Sequence, residues 1–112
     1  VDISLKSPAI ENGNFDVTEV YTTDGLNRKA NLKVLEDDRN FFPEYNGSLL
    51  VREGLFEEMK DVAPDLREIL GLLSGTMNNE KMTDMTYAVD VEGRSVEEVA
   101  REFLIENNLL DA

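Results

Sequence analysis

The spacing of the apolar residues changes near the middle of this chain. Before Glu53 they occur in short runs that are rich in β-branched and aromatic residues, which is typical of strands. After Glu53 they recur at intervals of three and four residues, which indicates amphipathic helices. The chain has 112 residues, which suffice for one modest hydrophobic core. The sequence therefore predicts an α/β protein with short strands in the first half and helices in the second.

The first half is predicted to begin with a helix and to continue with three strands. The helix covers residues 4–12, with Pro8 near its first turn and Gly13 at its end. The predicted strands are residues 15–21, 32–35 and 48–51. Turn-forming residues at positions 22–25 end the first of these strands.

The second half is predicted to contain four helical segments. One follows Glu53, a second opens at Pro64, and a third is capped by Asn78 or Asn79. The last helix has the clearest signal, because the sequence from Ser95 to Glu98 matches a capping box. Its apolar residues, which we expect to pack against the sheet, are Val96, Val99, Ala100, Phe103 and Leu104.

Composition excludes several classes of function. Twenty-four acidic residues against eleven basic ones give a net charge of -13, which repels nucleic acids and anionic membrane surfaces. The chain has no cysteine and no histidine, so the commonest general base and the commonest metal ligands are missing. No apolar run approaches the roughly 18 residues of a membrane span. We therefore expect a protein that is not an enzyme, with no cofactor, no metal and no nucleic-acid partner.

The acidic triplet at residues 36–38 has two interpretations. Carboxylates bind calcium, but the triplet lacks the alternating spacing of a calcium loop, so we expect a solvated acidic turn. A metal-assisted hydrolase with an all-carboxylate site is the weakest of the functional alternatives.

Aromatic residues mark two candidate binding positions. Phe41 and Phe42 are expected to tuck into the core. Tyr45 follows Pro43, where a side chain is better placed to face a cleft, although a loop tyrosine with no binding role is the commoner case. Tyr21 lies at the carboxyl end of a predicted strand, where ligands bind in open α/β sheets, although a half-buried strand tyrosine is the commoner case.

Five segments, taken in order, resemble a single protein family. They are residues 9–17, 21–25, 32–43, 89–93 and 97–104. They look like the C-terminal half of the substrate-binding proteins of ABC transporters for osmoprotectants, namely glycine betaine, choline, carnitine and their relatives. The stretch 35–43 is the most specific part of the resemblance, which extends over essentially the whole chain.

The resemblance implies a type II periplasmic-binding fold that closes on a quaternary ammonium ligand in an aromatic cage. Two cage tyrosines of the family fall at Tyr21 and Tyr45, and their neighbours Thr22 and Asn46 are taken as further ligand-binding residues. Ring faces suit such a ligand, because a trimethylammonium group donates no hydrogen bonds and is attracted by cation–π contacts.

The same resemblance implies an organisation and a set of partners. Residues 1–25 would end one lobe and cross over, and residues 26–112 would form the C-terminal part of the other lobe. The partners would be the quaternary ammonium ligand, an ABC transporter permease and, for this chain alone, further copies of itself. The location would be extracytoplasmic, held at the membrane by a lipid anchor or a fused permease. The alternative is a non-transport sensory or interaction module with the same fold.

Overall fold

The computed structural model describes residues 3–44 and 46–111 of the chain. Over these residues the regular secondary structure is helical. In chain order the helices are α1 (Ile3–Glu11), α2 (Gly25–Lys29), α3 (Leu55–Glu58), α4 (Leu66–Gly71), α5 (Asn79–Asp90) and α6 (Val96–Glu106). The predicted helices of the second half are confirmed, as is the one at the start. Among the described residues, no helix has the length and apolar content needed to cross a bilayer.

The prediction of short strands is not confirmed, because the part of the chain that the structure describes contains no strand. The three segments concerned, residues 15–21, 32–35 and 48–51, have irregular backbone. Apolar side chains such as Val17 and Leu35 are exposed there. β-branched and aromatic residues favour a strand only where a neighbouring strand completes the hydrogen-bond ladder and a core covers one face.

The chain divides into two compact units. The first combines Val1–Val34 with Met77–Ala112 and contains α1, α2, α5 and α6. The second is Leu35–Thr76 and contains α3 and α4. In the first unit α2 packs against α5, and α5 packs against α6.

The inner face of α6 holds the buried apolar side chains of the first unit. Val99 is 7% exposed and Phe103 is 5% exposed, and both lie in the α5–α6 packing. The prediction for these two residues is confirmed, although they pack against a helix rather than a sheet. The prediction that Val96 is buried is wrong. This residue is 63% exposed in the first turn of α6, beside an open cleft of about 220 Å³.

Local signals explain where the helices begin and end. The hydroxyl of Ser95 accepts the N–H of Glu98, and the Glu98 carboxylate accepts the N–H of Ser95, so the predicted capping box is present. Asn78 caps α5 by accepting the N–H of Lys81 at 2.8 Å. Gly13, with a φ of +70°, ends α1 in the left-handed conformation that glycine adopts without strain.

The second unit has two short helices. α3 follows Gly54, and Arg52 clasps the carboxylate of Glu58 with two hydrogen bonds of 2.6 Å. Arg67 in α4 stacks its guanidinium over the ring of Phe56, 3.9 Å from the centroid. The first contact ties α3 to the segment before it, and the second ties α4 to α3.

Candidate ligand-binding site

Tyr21 and Thr22 lie in a tight turn that leads into α2. The carbonyl of Tyr21 accepts the N–H of Asp24 at 3.1 Å and the side-chain amide of Asn27 at 2.7 Å. Asp24 in turn caps α2, because its carboxylate accepts the N–H of Leu26 at 2.9 Å. The predicted turn is therefore confirmed, although the segment before it is not a strand.

Helix α5 holds the same turn through a threonine hydroxyl. Thr86 donates to the carbonyl of Thr23 at 2.7 Å. Thr83 lies 3.5 Å from the carbonyl of Thr22, but its hydroxyl has a better acceptor in the carbonyl of Asn79 at 2.8 Å. The bond from Thr86 is thus the main side-chain link between α5 and the turn.

Gly25 brings α2 into backbone contact with α5. The residue is buried, and a Cβ placed on it would lie 2.4 Å from the main-chain nitrogen of Tyr87. Beside this contact Arg28 pairs with Asp84 at 2.7 Å and lies 5.2 Å from the centroid of the Tyr87 ring. Only glycine permits this approach, so residue 25 fixes the distance between the turn and α5.

The ring of Tyr21 is accessible from this rigid turn. Its residue is 63% exposed, Thr22 is also exposed, and Thr23 is half-buried. The interpretation of Tyr21 as a half-buried strand residue is therefore wrong. A ring with this exposure presents an area that a ligand can cover.

The acidic triplet forms a self-capped loop, as the solvated-turn interpretation predicts. The carboxylate of Asp37 accepts the N–H groups of Phe41 at 3.0 Å and Phe42 at 2.9 Å. These two hydrogen bonds lower the pKa of the Asp37 carboxyl below its usual value. Asn40, which lies between Asp37 and Phe41 in the chain, adopts a positive φ of 50°. Asparagine tolerates this conformation better than most residues.

Phe41 and Phe42 contradict the expectation that they enter the core. They are 81% and 70% exposed. Their rings contact each other edge to face, with centroids 5.1 Å apart. The hydrogen bonds that Asp37 accepts hold the backbone of both residues in an exposed loop, where the two rings contact each other.

The candidate binding residues are divided between the two units. Tyr21 and Thr22 belong to the first unit, whereas Asn46 belongs to the second, where it is exposed. Tyr45 lies outside the described residues. Within the first unit the structure places Tyr21 and Thr22 in the same turn.

Two residues that the sequence did not single out hold the turn: Asn27 and Thr86. Asn27 is six residues from its acceptor, within the range of local turn chemistry. Thr86 is 63 residues from Thr23, and no local pattern connects positions so far apart. The sequence therefore carries no signal from which the link between Thr86 and Thr23 could be predicted.

Within residues 3–44 and 46–111, no group of three or more carboxylates lies close enough together to hold a metal ion. The Asp24 and Asp37 carboxylates instead accept main-chain N–H groups. These two carboxylates therefore stabilise the backbone of their own loops.

Comparison with known proteins gives consistent matches along the chain. A family model described as the substrate binding domain of ABC-type glycine betaine transport systems matches residues 4–106. The chain is 34% identical over 104 residues to the ergothioneine transport permease/ergothioneine binding protein of Helicobacter pylori strain G27. It is 33% identical over 111 residues to the carnitine transport binding protein of Listeria monocytogenes serotype 1/2a strain 10403S. It is 32% identical over 111 residues to the glycine-betaine-binding protein of Pseudomonas aeruginosa strain PAO1.

These relatives are much longer than this chain. The matches cover 93% to 99% of the chain but only 18% of the Helicobacter protein, 35% of the Listeria protein and 34% of the Pseudomonas protein. Their names describe transport and binding rather than catalysis, which agrees with the prediction that the chain is not an enzyme.

Proposed function

This chain belongs to the family of substrate-binding domains of ABC-type glycine betaine transport systems, and from that premise we propose that it is part of a protein that binds a quaternary ammonium osmoprotectant and delivers it to a membrane permease. The match over residues 4–106 carries the proposal. The named ligands of the relatives, which are carnitine, glycine betaine and ergothioneine, all contain a trimethylammonium group. No observation favours the alternative of a sensory or interaction module.

The turn at Tyr21 supports a role in binding such a group. Tyr21 is 63% exposed, on a backbone that hydrogen bonds from Asn27 and from α5 hold on two sides. A trimethylammonium group is recognised by ring faces that exclude water, because it donates no hydrogen bonds. We assign Tyr21, Thr22, Tyr45 and Asn46 as ligand-binding residues within this proposal.

The family has a periplasmic-binding fold, and we propose a two-lobed type II form for the full-length parent protein. In this proposal residues 1–25 end one lobe and residues 26–112 complete the other. The parent protein would be extracytoplasmic and held at the membrane by a lipid anchor or a fused permease. The Helicobacter relative, whose name combines a permease and a binding protein, supports the fused form.

Calorimetric titration of the full-length parent tests the assignment of the tyrosines. Tyr21→Ala and Tyr45→Ala should each weaken binding by about 1–2 kcal/mol, or about 5- to 30-fold in dissociation constant, because a cation–π contact is lost. Glycine betaine, carnitine, choline and ergothioneine form the panel, so the same experiment identifies the preferred ligand.

Tyr21→Phe and Tyr45→Phe are the matched controls. Each keeps the ring face and should bind within about twofold of the wild type, because the hydroxyl is not needed for a cation–π contact. Unchanged affinity in both alanine variants would refute the tyrosine assignment. A wild-type protein that binds none of the four compounds would refute the proposed function.

A further inference from the structure

Side chains of the first unit donate hydrogen bonds to the main-chain carbonyls of residues 21 and 23. Asn27 donates to the carbonyl of residue 21 at 2.7 Å, and Thr86 donates to that of residue 23 at 2.7 Å. Thr83 approaches that of residue 22 at 3.5 Å, which is at the limit of a hydrogen bond. The two short bonds therefore hold the segment at both of its ends.

The hydroxyl of Thr86 lies within hydrogen-bond distance of two carbonyl acceptors. A hydroxyl has one proton, and Thr86 lies 2.7 Å from the carbonyl of Thr23 and 3.1 Å from the carbonyl of Thr83 in its own helix. A threonine inside a helix ordinarily donates to its own preceding turn. Here the shorter distance is to the other segment, so the hydroxyl links two parts of the chain.

The backbone contact at Gly25 makes this link stiff. Gly25 is buried against the main chain of α5 at Tyr87, one residue after Thr86. A turn fixed by a close backbone approach and by a hydrogen bond next to it has little freedom to move relative to α5. Binding residues held in this way lose less conformational freedom when a ligand binds.

We propose that Asn27 and Thr86 are positioning residues that hold the backbone of Tyr21 and Thr22 in the geometry required for ligand binding. The inference rests on the proposed function, since it assigns these residues to the same site. Neither residue needs to touch the ligand. Each acts through the carbonyl that it holds, at residue 21 for Asn27 and at residue 23 for Thr86.

Two variants of the full-length parent remove one bond each. Thr86→Val deletes the hydroxyl and keeps the branched shape, and Asn27→Ala deletes the amide without altering α5. We expect each to weaken binding of the tightest ligand of the panel by about fivefold, the size of effect that loss of one hydrogen bond produces. Thr86→Ser restores a hydroxyl and should bind within about twofold of the wild type.

Thr76→Val is the matched control. The Thr76 hydroxyl is also partly buried and also donates at 2.7 Å, but to the carbonyl of Leu73 in its own turn. This variant loses the same chemical group in the second unit and should keep wild-type affinity. Equal losses in Thr76→Val and Thr86→Val would show general destabilisation and overturn the inference.

Hydrogen exchange of the ligand-free protein separates this inference from the proposed function. The amides of Asp24 and Leu26 are hydrogen-bonded within the turn and should exchange faster in Thr86→Val but not in Thr76→Val. Unchanged exchange in Thr86→Val overturns the inference whether or not any ligand binds. Faster exchange with unchanged affinity also overturns it, whereas failure of the wild type to bind the panel refutes the proposed function.

Discussion

Single carboxylates fix two loops of this chain that carry exposed aromatic residues. Asp24 accepts the N–H of Leu26, and Asp37 accepts the N–H groups of Phe41 and Phe42. A charged acceptor makes a stronger hydrogen bond than a neutral one, so a short acidic side chain can order an exposed loop. Some of the acidic residues therefore stabilise local loop structure, in addition to making the electrostatic field around the chain negative.

The Asp37 loop should respond to acid. The pKa of Asp37 is lowered by its bonds from Phe41 and Phe42, so these bonds stabilise the loop above the ordinary aspartate pKa of about 3.9. That stabilisation is lost as the pH falls through the lowered pKa of the folded state. We expect the amide proton shifts of Phe41 and Phe42 to follow one titration, with its midpoint below about 3.9.

Nuclear magnetic resonance of the wild type and of Asp37→Asn measures this effect. The variant keeps an oxygen acceptor but has no titrating group, so the common transition of the two amides should disappear. A common midpoint at or above about 3.9 for these two amides in the wild type would contradict the assignment.

At the scale of elements, the contact of α2 with α5 depends on a glycine, which has no side chain to hold the two helices apart. The α2 helix has five residues, too few to be stable alone, and its buried residue is Gly25. The helix exists because Asp24 caps it and because α5 packs against it. The α5–α6 contact is of a different kind, since it buries the larger side chains Val99 and Phe103.

Gly25→Ala should destabilise the full-length parent by about 1–3 kcal/mol, the usual range for overpacking. The new Cβ would lie 2.4 Å from the nitrogen and 2.5 Å from the Cα of Tyr87, and neither backbone atom can rotate away. Thermal or denaturant unfolding measures the loss.

Gly71→Ala provides the comparison for this prediction. Gly71 is the last residue of α4, and a Cβ placed there meets nothing within 4 Å. This change should be neutral or stabilising by up to about 1 kcal/mol, because alanine restricts the unfolded chain. Equal stability of the two variants would show that α2 can shift on α5 at no cost.

At the scale of the whole chain, few of the apolar side chains that the structure describes are buried. Among the described residues, the buried positions are Gly25, Val99 and Phe103. Large apolar residues such as Leu50 at 98% and Val62 at 78% are exposed. Exposed apolar surface on this scale is characteristic of interaction surfaces.

The 112-residue chain alone should therefore bind osmoprotectants poorly and associate with itself. Cation–π contacts from two tyrosines supply about 4 kcal/mol at most, which corresponds to roughly millimolar affinity before ordering costs. Titration with glycine betaine and choline, together with light scattering, tests both parts of the prediction. The full-length parent is the control in both measurements, and micromolar binding by a monomeric 112-residue chain would contradict the prediction.

The sequence by itself determined the features that depend on neighbours a few residues away. The cap at Ser95, a cap at Asn78 or Asn79 and the stop at Gly13 were predictable, since each uses hydrogen bonds or backbone freedom within one helical turn. The inner face of α6 at Val99 and Phe103 followed from helical spacing in the same way.

Only the tertiary structure decided the features that require a distant partner. β-propensity in residues 15–21 produced no strand among the described residues, because a strand needs a neighbour for its ladder. The exposure of Phe41 and the bond from Thr86 to Thr23 likewise depend on what the folded chain places beside them. Caps are local hydrogen bonds that the sequence encodes directly, whereas burial, strand pairing and links across 63 residues arise only when remote segments pack together.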